Sequence, residues 1–194
     1  MPPNPPEGGL ILEFEGNFLN VWEVPPFRGA GGQQITGKKG FIMDDTSLHN
    51  DLIIRDYQED DYDEIVNFWY LTDMGNPERG DSKDTIKRTL ELGGKLLVME
   101  SKSSKQICGT SWMTYDGRRI LLHHFGILPE CQGKGLSKIL LKESLQFVKK
   151  NGAQVKLEVH STNIKAINLY KKFGFKHLGE YNVYIIRDIS NLLI

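Results

Sequence analysis

Residues 127–141 read ILPECQGKGLSKILL, and this stretch decides the fold. An apolar strand end, Ile127-Leu128, runs into a turn that holds Gly133 and Gly135. A helix is predicted at once over 135–150. Leu136, Ile139, Leu140 and Phe147 lie on one face, with lysines on the other, and Asn151-Gly152 closes it. A strand that turns through glycines into a helix is an anion-binding arrangement. The first N–H groups of a helix lack internal partners, and the helix dipole adds partial positive charge there. Glycines let the backbone approach a phosphate closely. Lys134 and Lys138 add charge nearby. The turn alone is equally explained by glycines that serve only the change of chain direction.

Downstream, the pattern predicts a strand from Val155 to His160 and a helix from Asn163 to Phe173. Two further strands follow, spanning Tyr181 to Ile189. Upstream, LIIRDY from Leu52 reads as a strand. Asp60 to Tyr70 carries Ile65, Phe68 and Trp69 at helical spacing, after acids that suit a helix start. A loop over Met74 to Gly80 leads to a helix over 81–92, started by Asp81 or Ser82 and stopped by Gly93-Gly94. Strands follow at 95–100, 106–115 and 119–128, with Asp116-Gly117 as a hairpin turn. The order βααβββαβαββ predicts an α+β (α/β-like) sheet with helices packed on it.

Residues 1–48 read differently. A Pro-rich start precedes two apolar runs around Gly16-Asn17, a β-hairpin pattern, and 28–40 reads as a Gly-rich linker. The expected division is an extension over 1–48 and a main domain over 49–194. With 194 residues, 39% hydrophobic and 25% charged, the chain has the make-up of one globular domain plus an extension. A net charge of −1 gives no basic field for nucleic acid. No apolar run reaches the ~20 residues needed to span a membrane. The start MPPNPPEGG lacks the basic and apolar regions of a secretory signal, so a cytoplasmic location is expected. Cys108 and Cys131 form no CxxC pair and no metal-ligand spacing, so no metal site is expected.

Gln132-Gly133-Lys134-Gly135-Leu136-Ser137 resembles the Q/R-x-x-G-x-G/A signature of the GNAT acetyltransferase superfamily, with Ser137 in place of the usual Gly or Ala. Asn163, Ala166, Leu169 and Tyr170, followed by Phe173-Gly174-Phe175, resemble its second signature. The resemblance covers about 50–188 and includes the order of elements. It implies a mixed, largely antiparallel sheet, splayed near its centre, with helices on both faces. It also implies acetyl-coenzyme A as cofactor, its pyrophosphate held by the backbone of Gln132 to Ser137. Phe125, Gly126 and Ile127 are then expected to line the cofactor. Asn163 contacts the pantetheine arm, and Tyr170 sits near the thioester sulfur.

Acetyl transfer to an amine needs a bound thioester, a neutral amine, an oxyanion donor and a proton for the leaving thiolate. The resemblance places the oxyanion donor at a free backbone N–H near Ile127, typically worth ~3 kcal/mol of barrier. Tyr170 matches the family's general acid, and its bland reading is a core aromatic. For the base, strand alternation puts Leu121, His123, Phe125 and Ile127 on one face, and Leu122, His124 and Gly126 on the other. The face with Ile127 is expected to meet substrate. His123 is therefore the candidate base, against a structural histidine in the sheet or a water chain. His124 is expected to pack under a helix. His160 is read as a strand-end residue near the acceptor pocket. Trp69 is read as core, and Tyr70, Asp73 and Glu78 as residues that could meet the acceptor.

Gly32 to Lys39 nearly fits a nucleotide loop, but Lys39 replaces the magnesium-binding hydroxyl. Cys131, beside the glycine turn, is a thiol with no assigned role. The expected function is an acetyl-coenzyme A-dependent N-acetyltransferase acting on a primary amine of a small molecule or protein N-terminus. The alternative is a non-catalytic acyl-coenzyme A sensor of the same fold. By analogy with the family, the C-terminal strands are expected to support a homodimer.

Overall fold

The computed structural model describes residues 50–75 and 79–187. The hairpin, linker and near-nucleotide loop expected within 1–48, and Glu78, lie outside the described residues.

Five strands form one sheet in sequence order: β1 (Leu52–Asp56), β2 (Lys95–Ser101), β3 (Ile107–Tyr115), β4 (Arg119–Ile127) and β5 (Gln154–Leu157). The first four are antiparallel, and β5 joins β4 in parallel. The β3–β4 turn falls at Asp116 to Arg118, where the Arg118 N–H donates to Asp116 Oδ1 at 2.7 Å. Arg55 of β1 donates to Glu100 of β2 at 2.6 Å and to Asp61 at 2.7 Å, which ties the sheet edge to the next turn.

Four helices surround the sheet: α1 (Tyr62–Leu71), α2 (Lys83–Glu91), α3 (Leu136–Lys150) and α4 (Ile164–Lys172). Ser82 caps α2 by accepting from the Thr85 N–H at 3.1 Å. Neighbouring residues of β3 locate two of the helices. Trp69 of α1 donates its indole N–H to Thr110 at 3.0 Å, and Ser144 of α3 bonds Ser111 at 2.8 Å. Successive strand residues point to opposite faces, so α1 and α3 cover opposite sides. The core lies in both layers. Ile65, Phe68, Trp69 and Trp112 are buried on the α1 side, and Leu136, Leu140 and Leu141 come from α3.

Three expectations need correction. The buried stripe of α3 is Leu136, Leu140, Leu141, Ser144 and Val148, while Ile139 is exposed. Ser144 belongs to the core because its hydroxyl is satisfied by Ser111 and by the Leu140 carbonyl at 2.8 Å. β5 ends at Leu157 rather than at residue 160. Residues 176–187 contain no strand, and Tyr181, Val183, Tyr184, Ile185 and Ile186 are exposed. Their apolar run finds no paired edge among the described residues, and 188–189 lie outside them.

Candidate functional site

β4 and β5 pair only from Arg119 to Leu122, opposite Gln154 to Leu157. Beyond that point β4 continues to Ile127 and β5 stops, so the sheet opens. The Leu128 N–H donates back to the Cys108 carbonyl of β3 at 2.9 Å. Antiparallel alternation therefore turns the Ile127 N–H the other way, toward the open edge. Gln132 Nε2 donates to the Ile127 carbonyl at 3.0 Å and fixes the strand end against the turn that follows.

That turn is built as the sequence predicts. Gly133 and Gly135 both take left-handed backbone, φ +80° and +78°, and nothing lies where a Cβ would sit. The left-handed conformation needs glycine, and the absent side chains leave the turn open. Gly135 is the N-cap of α3. The N–H groups of Leu136 and Ser137 belong to its first turn, where the helix offers them no acceptor. The Lys134 ammonium instead donates to the Glu130 carbonyl at 3.1 Å.

A cleft of about 720 Å³ opens here. Of the residues expected for the cofactor, it is lined by Phe125, Gly126, Ile127, Gln132, Gly133, Gly135, Leu136, Ser137, Asn163 and Tyr170. Lys134 does not line it. Asn163 caps α4, its Oδ1 accepting from the Ala166 N–H at 3.1 Å. Tyr170 is only 8% exposed and stacks edge-on with Phe125 and Phe175. Burial pushes its phenol up to about 12, so it stays protonated at neutral pH.

The opposite wall comes from the end of α1: Leu71, Thr72, Asp73 and Met74. Gly126 has no side chain, and a Cβ there would strike the Met74 methyl at 2.7 Å. His160 and Lys165 also line the cleft. Asp73 and His160 were legible as candidates. Thr72, Met74 and Lys165 were not, because only the packing of α1 and α4 brings them to the cleft.

His123 does not line the cleft, and the physical reason is a bulge. Thr110 pairs with Gly126 but Trp112 pairs with His123, so two residues of β4 oppose Ser111. His124 takes the strain, with φ +43°. The alternation expected along β4 is broken there. His123 and His124 both project to the α1 side, with ring centres 5.1 Å apart, while Phe125 and Ile127 face the other way. His124 packs against Trp69 and Trp112, which stack on each other at 5.4 Å. Its Nδ1 lies 2.9 Å from His123 Nδ1. Its Nε2 lies 2.9 Å from Asp81 Oδ2, at ion-pair distance but without an aligned hydrogen bond. Burial, with smaller contributions from His124 and Arg79, pushes the His123 imidazole down to about 4 against the pull of Asp81. Sequence reasoning placed His124 under a helix. It gave no sign of the chain Asp81–His124–His123.

Among the described residues no group of His, Cys, Asp and Glu has the arrangement of a metal site, and no helix is long and apolar enough to cross a membrane.

With this geometry in hand, comparisons with known proteins point one way. The sequence profile described as "Acetyltransferase (GNAT) family" matches residues 54–175. The chain is 23% identical over 124 residues to an acetyltransferase of Sodalis glossinidius, covering 63% of this chain and 86% of that one. Its fold is similar to an acetyltransferase from Streptococcus agalactiae, with TM-score 0.59 and 16% identity over 70% of this chain and 92% of that one. It is also similar to the ribosomal-protein-S18-alanine N-acetyltransferase from Escherichia coli, with TM-score 0.55 and 18% identity over 64% of this chain and 77% of that one.

Proposed function

The chain belongs to the acetyltransferase (GNAT) family, and on that ground we propose that it moves an acetyl group from acetyl-coenzyme A to a primary amine, by direct attack of the amine on the thioester. The acceptor class is a small molecule or a protein N-terminus. One observation carries the reading: the glycine turn, the open edge of β4 and Tyr170 share one cleft.

The residues divide the work as follows. The backbone of Gln132 to Ser137 holds the pyrophosphate, because the α3 N-terminus and two left-handed glycines present N–H groups to an anion. Phe125, Gly126 and Asn163 line the cleft and would flank the pantetheine arm of the bound cofactor. The cofactor supplies an activated thioester. The Ile127 N–H donates to the carbonyl oxygen as negative charge develops on it. Tyr170 keeps its proton at neutral pH and gives it to the departing sulfur. We assign removal of the amine proton to water in the cleft. His123, the residue expected as base, has no place on the cleft lining, and its Nε2 is buried without a partner. The wall from Leu71 to Met74 contacts the acceptor, with Asp73 as the charged group that suits a cationic amine.

Thermal unfolding with and without acetyl-coenzyme A tests the reading, followed by thiol release with a panel of amines. Cofactor at about 100 times its dissociation constant stabilises the fold by ~2.7 kcal/mol. Thiol release should depend on amine and drop in Tyr170→Phe. An unchanged melting temperature at millimolar cofactor would sink the proposal.

A further inference from the structure

We propose that Cys131 is a peroxide-reactive modification site and that Cys108 resolves it, closing a Cys108–Cys131 disulfide in the wall of the cleft. Neither sulfur takes part in the transfer chemistry described above.

The two cysteines are 23 positions apart in sequence, between 108 and 131, and the fold brings them together. Cys108 lies in β3 and Cys131 ends the 3-10 turn Pro129–Cys131. Two backbone bonds hold that turn against β3. The Leu128 N–H donates to the Cys108 carbonyl, and the Cys131 N–H donates to the Leu128 carbonyl, both at 2.9 Å. The Cys108 thiol donates to the Gln106 carbonyl at 3.6 Å, and the Cys131 thiol is its neighbour. Both side chains are buried, yet Cys131 lines the cleft, so a small oxidant reaches it from there.

The pair is asymmetric. The neighbouring Cys108 thiol holds the Cys131 thiol below its ordinary range, against burial and the Glu130 carboxylate and with help from Lys134. The Cys131 sulfur, together with burial, pushes the Cys108 thiol up. Cys131 is therefore the residue that forms thiolate, and the thiolate is the nucleophile. The oxidant is hydrogen peroxide. The Cys131 thiolate attacks one peroxide oxygen, the O–O bond breaks, and hydroxide leaves and takes up a proton as water. The Cys131 sulfenic acid then loses its oxygen as a second water when the Cys108 sulfur attacks and gives up its proton. Two thiols and one hydrogen peroxide become one disulfide and two waters.

The consequence falls on the cleft. Gln132 and Gly133 directly follow Cys131, so a bond to β3 constrains the start of the glycine turn. On the reading of the cleft given above, bound acetyl-coenzyme A covers Cys131 and slows its oxidation.

The experiment treats the full chain with hydrogen peroxide, blocks free thiols, and measures intact mass and the peptide map. The expected result is loss of the mass of two hydrogens, a peptide joining Cys108 to Cys131, and reversal by a reductant. Cys108→Ser should instead gain one to three oxygens at Cys131, and Cys131→Ser should leave Cys108 unmodified. Oxygen addition without a bridge in the unaltered chain would overturn the proposal. So would a disulfide between two chains, or no change under conditions that oxidise an exposed thiol. Saturating acetyl-coenzyme A should slow bridge formation by about tenfold or more, a rate set by how much chain remains unliganded. A bridge that forms at an unchanged rate supports the thiol pair and overturns the placement of the cofactor over it.

Discussion

Two stretches of the same loop-and-strand region behave differently. The turn from Gln132 to Ser137 has the form its residues predict: two left-handed glycines, a helix start with no side-chain cap and an open cradle. The stretch His123-His124, a few residues earlier, does not. There a bulge turns both imidazoles toward α1 and away from the face that carries Ile127. The turn is decided by residues that touch within the turn. The bulge is decided by which residues of β3 stand opposite. A reader of the sequence sees the first kind of cause and not the second.

The largest expected effect breaks the bulge side. Trp69→Ala removes the partner that stacks on Trp112 and His124 and donates to Thr110, and should cost ~3–5 kcal/mol of stability in denaturant unfolding. An effect below ~1 kcal/mol would mean that the bulge is held from elsewhere.

The next effect is a pH dependence. His123 has its pKa pushed from 6.5 down to about 4 in the fold, so between these values the unfolded chain binds the proton and the folded chain does not. Stability should therefore be full above pH 6.5 and fall as pH drops through 4, by on the order of 3 kcal/mol in total. Urea midpoints across this window should flatten in His123→Gln. An unchanged slope would place the titration on another group.

On the cleft side, Tyr170→Phe should lower the rate of thiol release by ~10²-fold, with the melting temperature nearly unchanged. His123→Gln, assayed the same way at pH 8, should lose less than ~10-fold, because no cleft-lining atom is removed. Equal losses would return the base role to His123.

The smallest effect probes the turn itself. Gly135→Ala puts a side chain on left-handed backbone with open space around it, so strain alone should cost ~1 kcal/mol. Acetyl-coenzyme A affinity should fall at the same time. A neutral result would mean that the turn relaxes without its second glycine.

Much of the fold was legible because its signals are local. Apolar runs marked β1 to β4, helical spacing marked α1 and α3, Gly117 fixed the hairpin turn, and Ser82 was one of two residues read as starting α2, which it caps. The glycine turn in the cleft wall was legible for the same reason, since Gln132 to Ser137 are neighbours in the chain. The misreadings share one cause. Ile139 was read into the buried stripe of α3, where Ser144 sits instead because Ser111 satisfies its hydroxyl from another element. Tyr181 to Ile186 are apolar and aromatic like a strand, but a strand needs a paired edge, and none of the described strands meets them.

By itself, then, the sequence determined β1 to β4, the helices α1 to α4, the glycine turn and the family to which the chain belongs. The tertiary structure alone decided which β4 side chains reach the cleft, which wall Thr72 and Met74 build, and that Cys108 meets Cys131. These depend on pairing between residues far apart in sequence. A shift of one residue in that pairing turns a side chain to the other face, while the local preferences of the chain stay the same.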